Sequence, residues 1–174
     1  ATALPSFTAT AGLDRGLNAF AVASAQMVGS IGSIVVRIVA PVLVSHASPR
    51  RRLTVVAGLI AVGSTGLVML FTGVPALFTL GAVLGFAAGW GWNGLYNQVV
   101  ATSAPDRVAT ATGMTQAGVF LGGVGGPALF ALIVARTDFS TAWLSMAVLM
   151  AIASGAALAG RPRPDRRPAP SGTF

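Results

Sequence analysis

Several polar side chains interrupt an apolar, glycine-rich run at residues 85–100, and they are the first candidates for chemistry in this sequence. Trp90, Asn93 and Asn97 follow one another at intervals of three and four residues, so on a helix they share one face. Indole and amide groups form hydrogen bonds without carrying a charge. Side chains of these types favour recognition of a small solute over acid–base catalysis.

The composition places this run in a lipid bilayer. Hydrophobic residues make up 54% of the 174 residues and charged residues 9%, whereas a soluble domain has about 25% charged residues. An α-helix needs about 20 apolar residues to cross the hydrocarbon core, and five runs of that length are present, at 17–45, 53–73, 76–100, 109–135 and 141–160. The sequence therefore predicts an all-α polytopic membrane protein in which residues 1–160 form one helical bundle.

The basic residues are distributed unevenly among the connections between these spans. All eleven are arginines, of which eight lie in 46–52, 101–108 and 161–174 and two in the alternate connections. Such an excess marks the cytoplasmic side. We therefore expect a multi-pass plasma-membrane protein, of the bacterial inner membrane by its lysine-free, arginine-rich usage, with a disordered cytoplasmic tail at 161–174. The net charge of +7 is then a topology signal, and no nucleic-acid partner is expected.

The helix face that carries Trp90 is predicted to line a cavity in the bundle. Trp90 lies within about 6 Å of the midplane of its span, whereas tryptophans that anchor helices lie at the headgroups. Asn93 and Asn97 either line the same cavity or bond neighbouring helices, and the cavity is favoured because intramembrane polar groups tend to face one. The mid-span amides Gln26 and Gln116 are further candidates, equally suited to contacts between helices.

Arg37 is the only charge deep inside a predicted span. A gating role or a role as a charge partner is predicted for it, because an unpaired charge in a bilayer is costly. The alternative is that it attracts an anion at the inner mouth of the cavity.

Two spans carry glycine at intervals of four residues, and small residues allow helices to approach closely. The predicted packing residues are Gly81, Gly85, Gly89, Gly118, Gly122, Gly126 and Pro127, the last of which also marks a place where the helix could bend.

The residue types required for an enzyme or a metal site are scarce. The chain has no cysteine and a single histidine, His46, and no span contains a carboxylate. One histidine does not make a metal site, and no catalytic set is present. We expect no enzyme activity, no metal and no cofactor.

The first eight residues are apolar but too short to cross a bilayer, and they are predicted to be the end of another helix. Many transporters are built from three-helix repeats, and this end together with five spans makes two triplets. Gln26 and Gln116, 90 residues apart, are each followed six residues later by glycine. We expect this chain to be a fragment and a missing N-terminal half to be its partner.

In this arrangement the chain resembles the C-terminal half of a major facilitator superfamily transporter, from the end of helix seven to helix twelve. The stretch RIVAPVLVSHASPRRRL stands where the family has the loop G-x-L-x-D-R-x-G-R-R. Leu43 and Arg50–Arg52 agree with that pattern, while Pro41, Ser45, His46 and Ser48 depart from it, so no Asp-based latch is expected there. The stretch APDRVATATGMTQAGVFLGGVGGPALFALI resembles the eleventh helix, and AGWGWNGLYNQVV is similar to the tenth helix of the cyanate and nitroimidazole transport relatives.

The resemblance implies a C-terminal six-helix bundle whose tenth helix lines the substrate cavity. It also implies secondary transport of a small organic solute or anion by alternating access within the lipid bilayer. The competing interpretation is a non-transporting membrane scaffold or anchor subunit, which needs no water-filled cavity.

Overall fold

The computed structural model describes residues 2–103 and 105–161, which are helical apart from short connections. The helices are α1 (Ala3–Asp14), α2 (Ala19–Leu43), α3 (Pro49–Phe71), α4 (Pro75–Ser103), α5 (Val108–Arg136) and α6 (Phe139–Ala159), and a 3₁₀ turn at Pro105–Arg107 leads into α5. Helices α2 to α6 are long and apolar enough to cross a membrane, whereas α1 has 12 residues. The predicted all-α membrane fold is confirmed.

Most helix ends lie close to the predicted ones, and two differ for local reasons. Helix α1 continues past residue 8 to Asp14, and Gly16 then turns the chain with a φ of 77°, which glycine adopts without steric cost. Helix α3 begins at Pro49 rather than at residue 53, because the Ser48 hydroxyl accepts a hydrogen bond from the Arg51 N–H and proline fits the first helical turn. Residues 162–174 of the predicted tail lie outside the described residues.

Helix α4 occupies the centre of the bundle, between α2 and α3. A Cβ atom on Gly66 of α3 would lie 2.7 Å from the Gly85 nitrogen and 2.8 Å from the Gly81 oxygen. A Cβ on Gly63 would lie 2.7 Å from the Gly89 Cα. The backbones of α3 and α4 are thus in direct contact along the glycines of both helices, an arrangement that larger residues would prevent.

Helix α6 packs on the other side of α3 and runs antiparallel to it. The Ser64 hydroxyl donates to the Ala147 carbonyl at 2.8 Å, and the Ser154 hydroxyl donates to the Ala57 carbonyl at 2.8 Å. Both serines are buried. These reciprocal bonds fix the register of the two helices and satisfy hydroxyl groups for which the bilayer offers no water.

Helix α5 is held mainly through one aromatic cluster. Phe130 is its only buried residue, and its ring centroid lies 4.6 Å from that of Phe7 and 4.5 Å from that of Trp143. The predicted packing glycines of α5 contribute little to this attachment: among the described residues, nothing lies within 4 Å of a Cβ built on Gly118 or Gly122. The helix has a second contact at Thr2, the residue that precedes α1, because the Thr2 hydroxyl donates to the Gly122 carbonyl at 3.0 Å.

The remaining two residues of the predicted α5 packing set differ from Gly118 and Gly122 in their surroundings. Gly126 has the Thr2 hydroxyl oxygen as its neighbour. Pro127 lies inside α5, which continues through it as one helix.

Candidate functional site in helix α4

The structure brings two of the predicted site residues together, Arg37 of α2 and Trp90 of α4. The Arg37 Nε donates to the Trp90 carbonyl at 3.3 Å, and the guanidinium carbon lies 5.9 Å from the centroid of the indole ring. Trp90 is one residue past the middle of α4. A cation over an indole face within about 6 Å is attracted by the ring, so Trp90 positions the guanidinium by two contacts.

The close approach of α2 and α4 makes this contact possible. A Cβ on Gly91 would lie 2.7 Å from the Val36 Cβ, and a Cβ on Gly94 would lie 2.9 Å from the Arg37 carbonyl oxygen. Only glycine fits at such distances without a shift of the helices. The sequence interpretation assigned the packing of α4 to Gly81, Gly85 and Gly89, and it did not identify this second pair of glycines beside the site.

Three amides that follow Trp90 on α4 have buried oxygen atoms without hydrogen-bond donors. The Oδ1 atoms of Asn93 and Asn97 and the Oε1 atom of Gln98 are inaccessible and have no partner among the described residues. A buried polar atom left unpaired costs about 1–3 kcal/mol. Native proteins pair nearly all such atoms, so these three oxygens within six residues are acceptors that the described residues leave unsatisfied.

The two glutamines lie away from this centre. Gln26 precedes Arg37 by eleven residues on α2, about 16 Å along the helix axis. With Ala9, Leu13 and Val22, among others, it lines a mostly apolar crevice of about 80 Å³ between α1 and α2. Its buried Nε2 atom has no partner among the described residues. Gln116 lies half-buried on α5, in the part of that helix farthest from Phe130.

Trp92 and Tyr96 are engaged with each other and with their own helix. The Trp92 indole N–H donates to the Gly89 carbonyl at 2.9 Å, and the two rings meet edge to face with centroids 5.5 Å apart. Both side chains pack against the hydrophobic core of the bundle. Their contacts explain them as structural residues of α4.

Arg15, which the sequence interpretation treated only as a topology signal, joins four helices at one end of the bundle. It follows α1 and donates to the Leu70 carbonyl of α3 and, at 2.9 Å, to the Ser140 hydroxyl of α6. Its guanidinium carbon lies 5.1 Å from the centroid of the Phe78 ring of α4. Partial burial lowers the pKa of Arg15, an effect that the charges of Asp14 and Asp138 oppose. No periodicity in the sequence signals these contacts, because they join residues 55 and more positions apart.

The loop that carries the degraded family pattern is closed by a different arginine. Arg52 of α3 donates from Nε to the Val44 carbonyl at 3.1 Å and from a terminal nitrogen to the Ser45 carbonyl. These carbonyls follow the last turn of α2, where cations are favourable. The loop is therefore ordered by an arginine on backbone carbonyls, while His46 is exposed.

The comparisons with known proteins agree with this architecture. A sequence profile of the Major Facilitator Superfamily matches residues 1–173, nearly the whole chain. Neither the comparison with curated proteins nor that with solved structures gives a match. The members of the superfamily are transporters and not enzymes, which confirms the predicted absence of enzyme activity. With five membrane-length helices and a profile match of this extent, the chain belongs to the Major Facilitator Superfamily of membrane transporters.

Proposed function

We propose that the chain forms one helical bundle of a secondary transporter that moves a small organic solute or anion by alternating access. The substrate cavity lies beside α4 and is lined by Trp90, Asn93 and Asn97. The observation that carries the proposal is the pair of buried Oδ1 atoms of Asn93 and Asn97, which have no partner among the described residues and lie one turn apart on a central helix. Polar side chains that face the interior of a membrane bundle often mark substrate and ion pathways.

The resemblance of AGWGWNGLYNQVV to the tenth helix of the cyanate and nitroimidazole transport relatives supports a small solute. Gln26 and Gln116 stand at equivalent places of the two helical triplets and are secondary members of the proposed site. Gln26 is the stronger candidate of the two, because its buried Nε2 atom has no partner within the described part of the chain.

Alternating access requires a second bundle that moves against this one. We propose that this is the N-terminal half of the same transporter and that it covers α2 and α5. These are the least buried membrane-length helices: the buried share of the 18 residues that represent each span is 22% in α2 and 6% in α5. The arginine distribution supports a plasma-membrane location, with the α2–α3 and α4–α5 connections and the C-terminus in the cytoplasm.

Cysteine labelling tests whether the proposed cavity contains water. These 174 residues contain no cysteine, so Asn93→Cys and Asn97→Cys each introduce one thiol into this part of the protein, and any cysteine elsewhere in the full-length protein is first replaced by serine. In permeabilised membranes we expect both thiols to react with a hydrophilic maleimide, because thiolates form and react only where water reaches them.

Two matched variants calibrate this measurement. Val148→Cys lies on the exposed apolar face of α6 and is expected to stay unlabelled in lipid, whereas His46→Cys in the exposed loop is expected to react fully. If positions 93 and 97 are labelled no more than Val148→Cys, the proposed water-filled cavity is contradicted. The scaffold interpretation would then be favoured over transport.

A further inference from the structure

The charge of Arg37 has no counterpart among the described residues. The aspartates of that part of the chain, Asp14, Asp106 and Asp138, lie at helix ends or in connections, and none of them bonds to Arg37, whose hydrogen bond goes to Trp90. A cation within a membrane span is costly, and it marks a functional site unless it reaches the headgroups.

The Arg37 side chain points away from the nearest membrane surface. Helix α2 ends six residues later, at Leu43, and the Arg37 Cα lies level with Gly94 of the parallel helix α4. Its guanidinium contacts Trp90, one turn nearer the middle of α4. Side chains on a helix lean toward its N-terminus, and snorkelling to the headgroups would require the opposite direction.

The contact with Trp90 leaves most of the donors of Arg37 available. A guanidinium carries five N–H groups, and only the one at Nε is bonded within the described part of the chain. The two terminal nitrogens form the planar fork that matches a carboxylate or a similar oxyanion. Arg37 is also exposed, so an anion can reach this fork.

Hydrogen-bond acceptors lie near this donor on α4. Asn93 and Asn97 follow Trp90 at i+3 and i+7, and their buried Oδ1 atoms are unpartnered among the described residues. Residues three or four apart on a helix lie about 5–6 Å apart, so Asn93 is a direct neighbour of Trp90. Asn97 lies about 10 Å beyond Trp90 along the axis, three residues past Gly94, which is level with Arg37. Donors on α2 and acceptors on α4 therefore call for a ligand with one oxyanion and one hydrogen-bond donor.

We infer that Arg37 binds the carboxylate, or an equivalent oxyanion, of the transported solute, and that a hydroxyl or N–H group of the same solute donates to Asn93 or Asn97. This inference rests on the proposed function and names the substrate class of its cavity: a small hydroxy or amido carboxylate. Trp90 acts as a positioning residue that holds the guanidinium toward the middle of the membrane.

The test uses lactate, a small carboxylate with one hydroxyl donor, and lactamide, its uncharged counterpart. The full-length protein is purified in neutral detergent, and its thermal midpoint is measured with each probe at matched ionic strength. A ligand that binds only the folded state raises this midpoint. We expect lactate to raise it and lactamide to leave it unchanged.

Three variants define the role of the arginine. Arg37→Gln is expected to weaken lactate binding by about tenfold or more, because it removes the charged fork, and Arg37→Lys to give an intermediate effect. Arg50 is exposed next to the α2–α3 loop, and Arg50→Gln is expected to bind lactate like the wild type. The absence of a lactate shift in the wild type, an equal shift with lactamide, or a lactate shift that survives Arg37→Gln would each overturn the inference.

Two further arms separate the other outcomes. A shift caused by phosphatidylglycerol instead of lactate, and lost in Arg37→Gln, would assign Arg37 to a lipid phosphate and overturn its role toward the solute. Uptake of radiolabelled lactate into proteoliposomes then tests transport itself. If lactate binds in an Arg37-dependent way but is not taken up, the proposed transport function is wrong and the anion site remains supported. If uptake is unaffected by Arg37→Gln, the anion site is wrong and transport remains supported.

Discussion

The polar side chains of the spanning helices fall into two groups that differ in their hydrogen bonding. Ser64 and Ser154 are buried and each donates to a carbonyl of the neighbouring helix. Asn93 and Asn97 have buried oxygens without donors among the described residues. The serines therefore hold helices together, and the asparagines are the group that we propose a solute completes.

Replacement of one of these serines tests the structural group. Ser64→Ala is expected to lower the free energy of unfolding by about 0.6 kcal/mol, the average for hydrogen bonds between membrane helices, and by at most about 1.7 kcal/mol. The measurement is unfolding in mixed micelles with increasing SDS. Ser145→Ala is the matched control, because Ser145 donates to Thr141 of its own helix; a loss as large as that of Ser64→Ala would contradict the assignment.

Asp138, which lies outside the membrane, makes the stability of the fold depend on pH. Hydrogen bonds from the backbone and hydroxyl of Thr141, together with the charge of Arg15, lower the pKa of Asp138 below its ordinary value of 3.8. A lowered pKa in the folded state means that the ionised cap of α6 stabilises the fold above the ordinary pKa. This contribution is lost as the pH falls through the lower folded value.

The corresponding measurement compares the thermal midpoints of the wild type and Asp138→Ala between neutral pH and pH 3. The midpoint of the wild type is expected to be higher at neutral pH, and the difference is expected to shrink only below about pH 4. A difference that changes between pH 5 and pH 7 would point to another titrating group.

At the scale of helices, the positions of the glycines determine which helices pack at backbone distance. Gly63 and Gly66 of α3 meet Gly81, Gly85 and Gly89 of α4 at backbone distance, and this contact fixes the centre of the bundle. Helix α5 has a glycine stripe of similar spacing, yet a Cβ built on Gly118 or Gly122 would meet no described atom within 4 Å, although the Gly122 carbonyl accepts a hydrogen bond from Thr2. We propose that these two positions face the second bundle.

A single methyl group tests the contact between α3 and α4. Gly66→Ala is expected to destabilise the protein by about 1–3 kcal/mol, the cost of overpacking, because its Cβ would meet backbone atoms of Gly81 and Gly85 at 2.7–2.8 Å. A Cβ on Gly58 of the same helix would meet no atom of the described residues within 4 Å, and Gly58→Ala is expected to be neutral or stabilising because alanine favours helix. Equal effects of the two variants on unfolding in SDS would contradict the packing.

The helices could be predicted because each one is formed by a continuous stretch of sequence. Their hydropathy and the caps near them depend on neighbouring residues, so the five spans follow from local pattern. Contacts such as Arg15 with Ser140, or Arg37 with Trp90, depend on which helices become neighbours, and no local pattern encodes them. For the same reason the glycine repeat of α5 predicted a packing face without revealing that the described helices leave Gly118 and Gly122 uncovered.

At the scale of the whole molecule, the two ends of the bundle are fastened and its middle is polar on one side. Arg15 joins α3, α4 and α6 at one end, while Arg52 and Arg161 make contacts at the other, the latter with Thr54 of α3 at 3.2 Å. Between these ends lie Arg37, Trp90 and the amides whose buried oxygens have no partner among the described residues. We propose that a bundle fastened in this way moves as one body around a site that lies between these ends.

Alternating access is the central claim, and one thiol at the site measures it directly. Asn97→Cys is labelled with a membrane-impermeant maleimide in right-side-out vesicles and, separately, in inverted vesicles. The account predicts that the thiol reacts from both sides, because the two bundles expose the cavity to each face in turn, while His46→Cys reacts from the cytoplasmic side alone. Reaction of Asn97→Cys from one side only, or from neither, would contradict it.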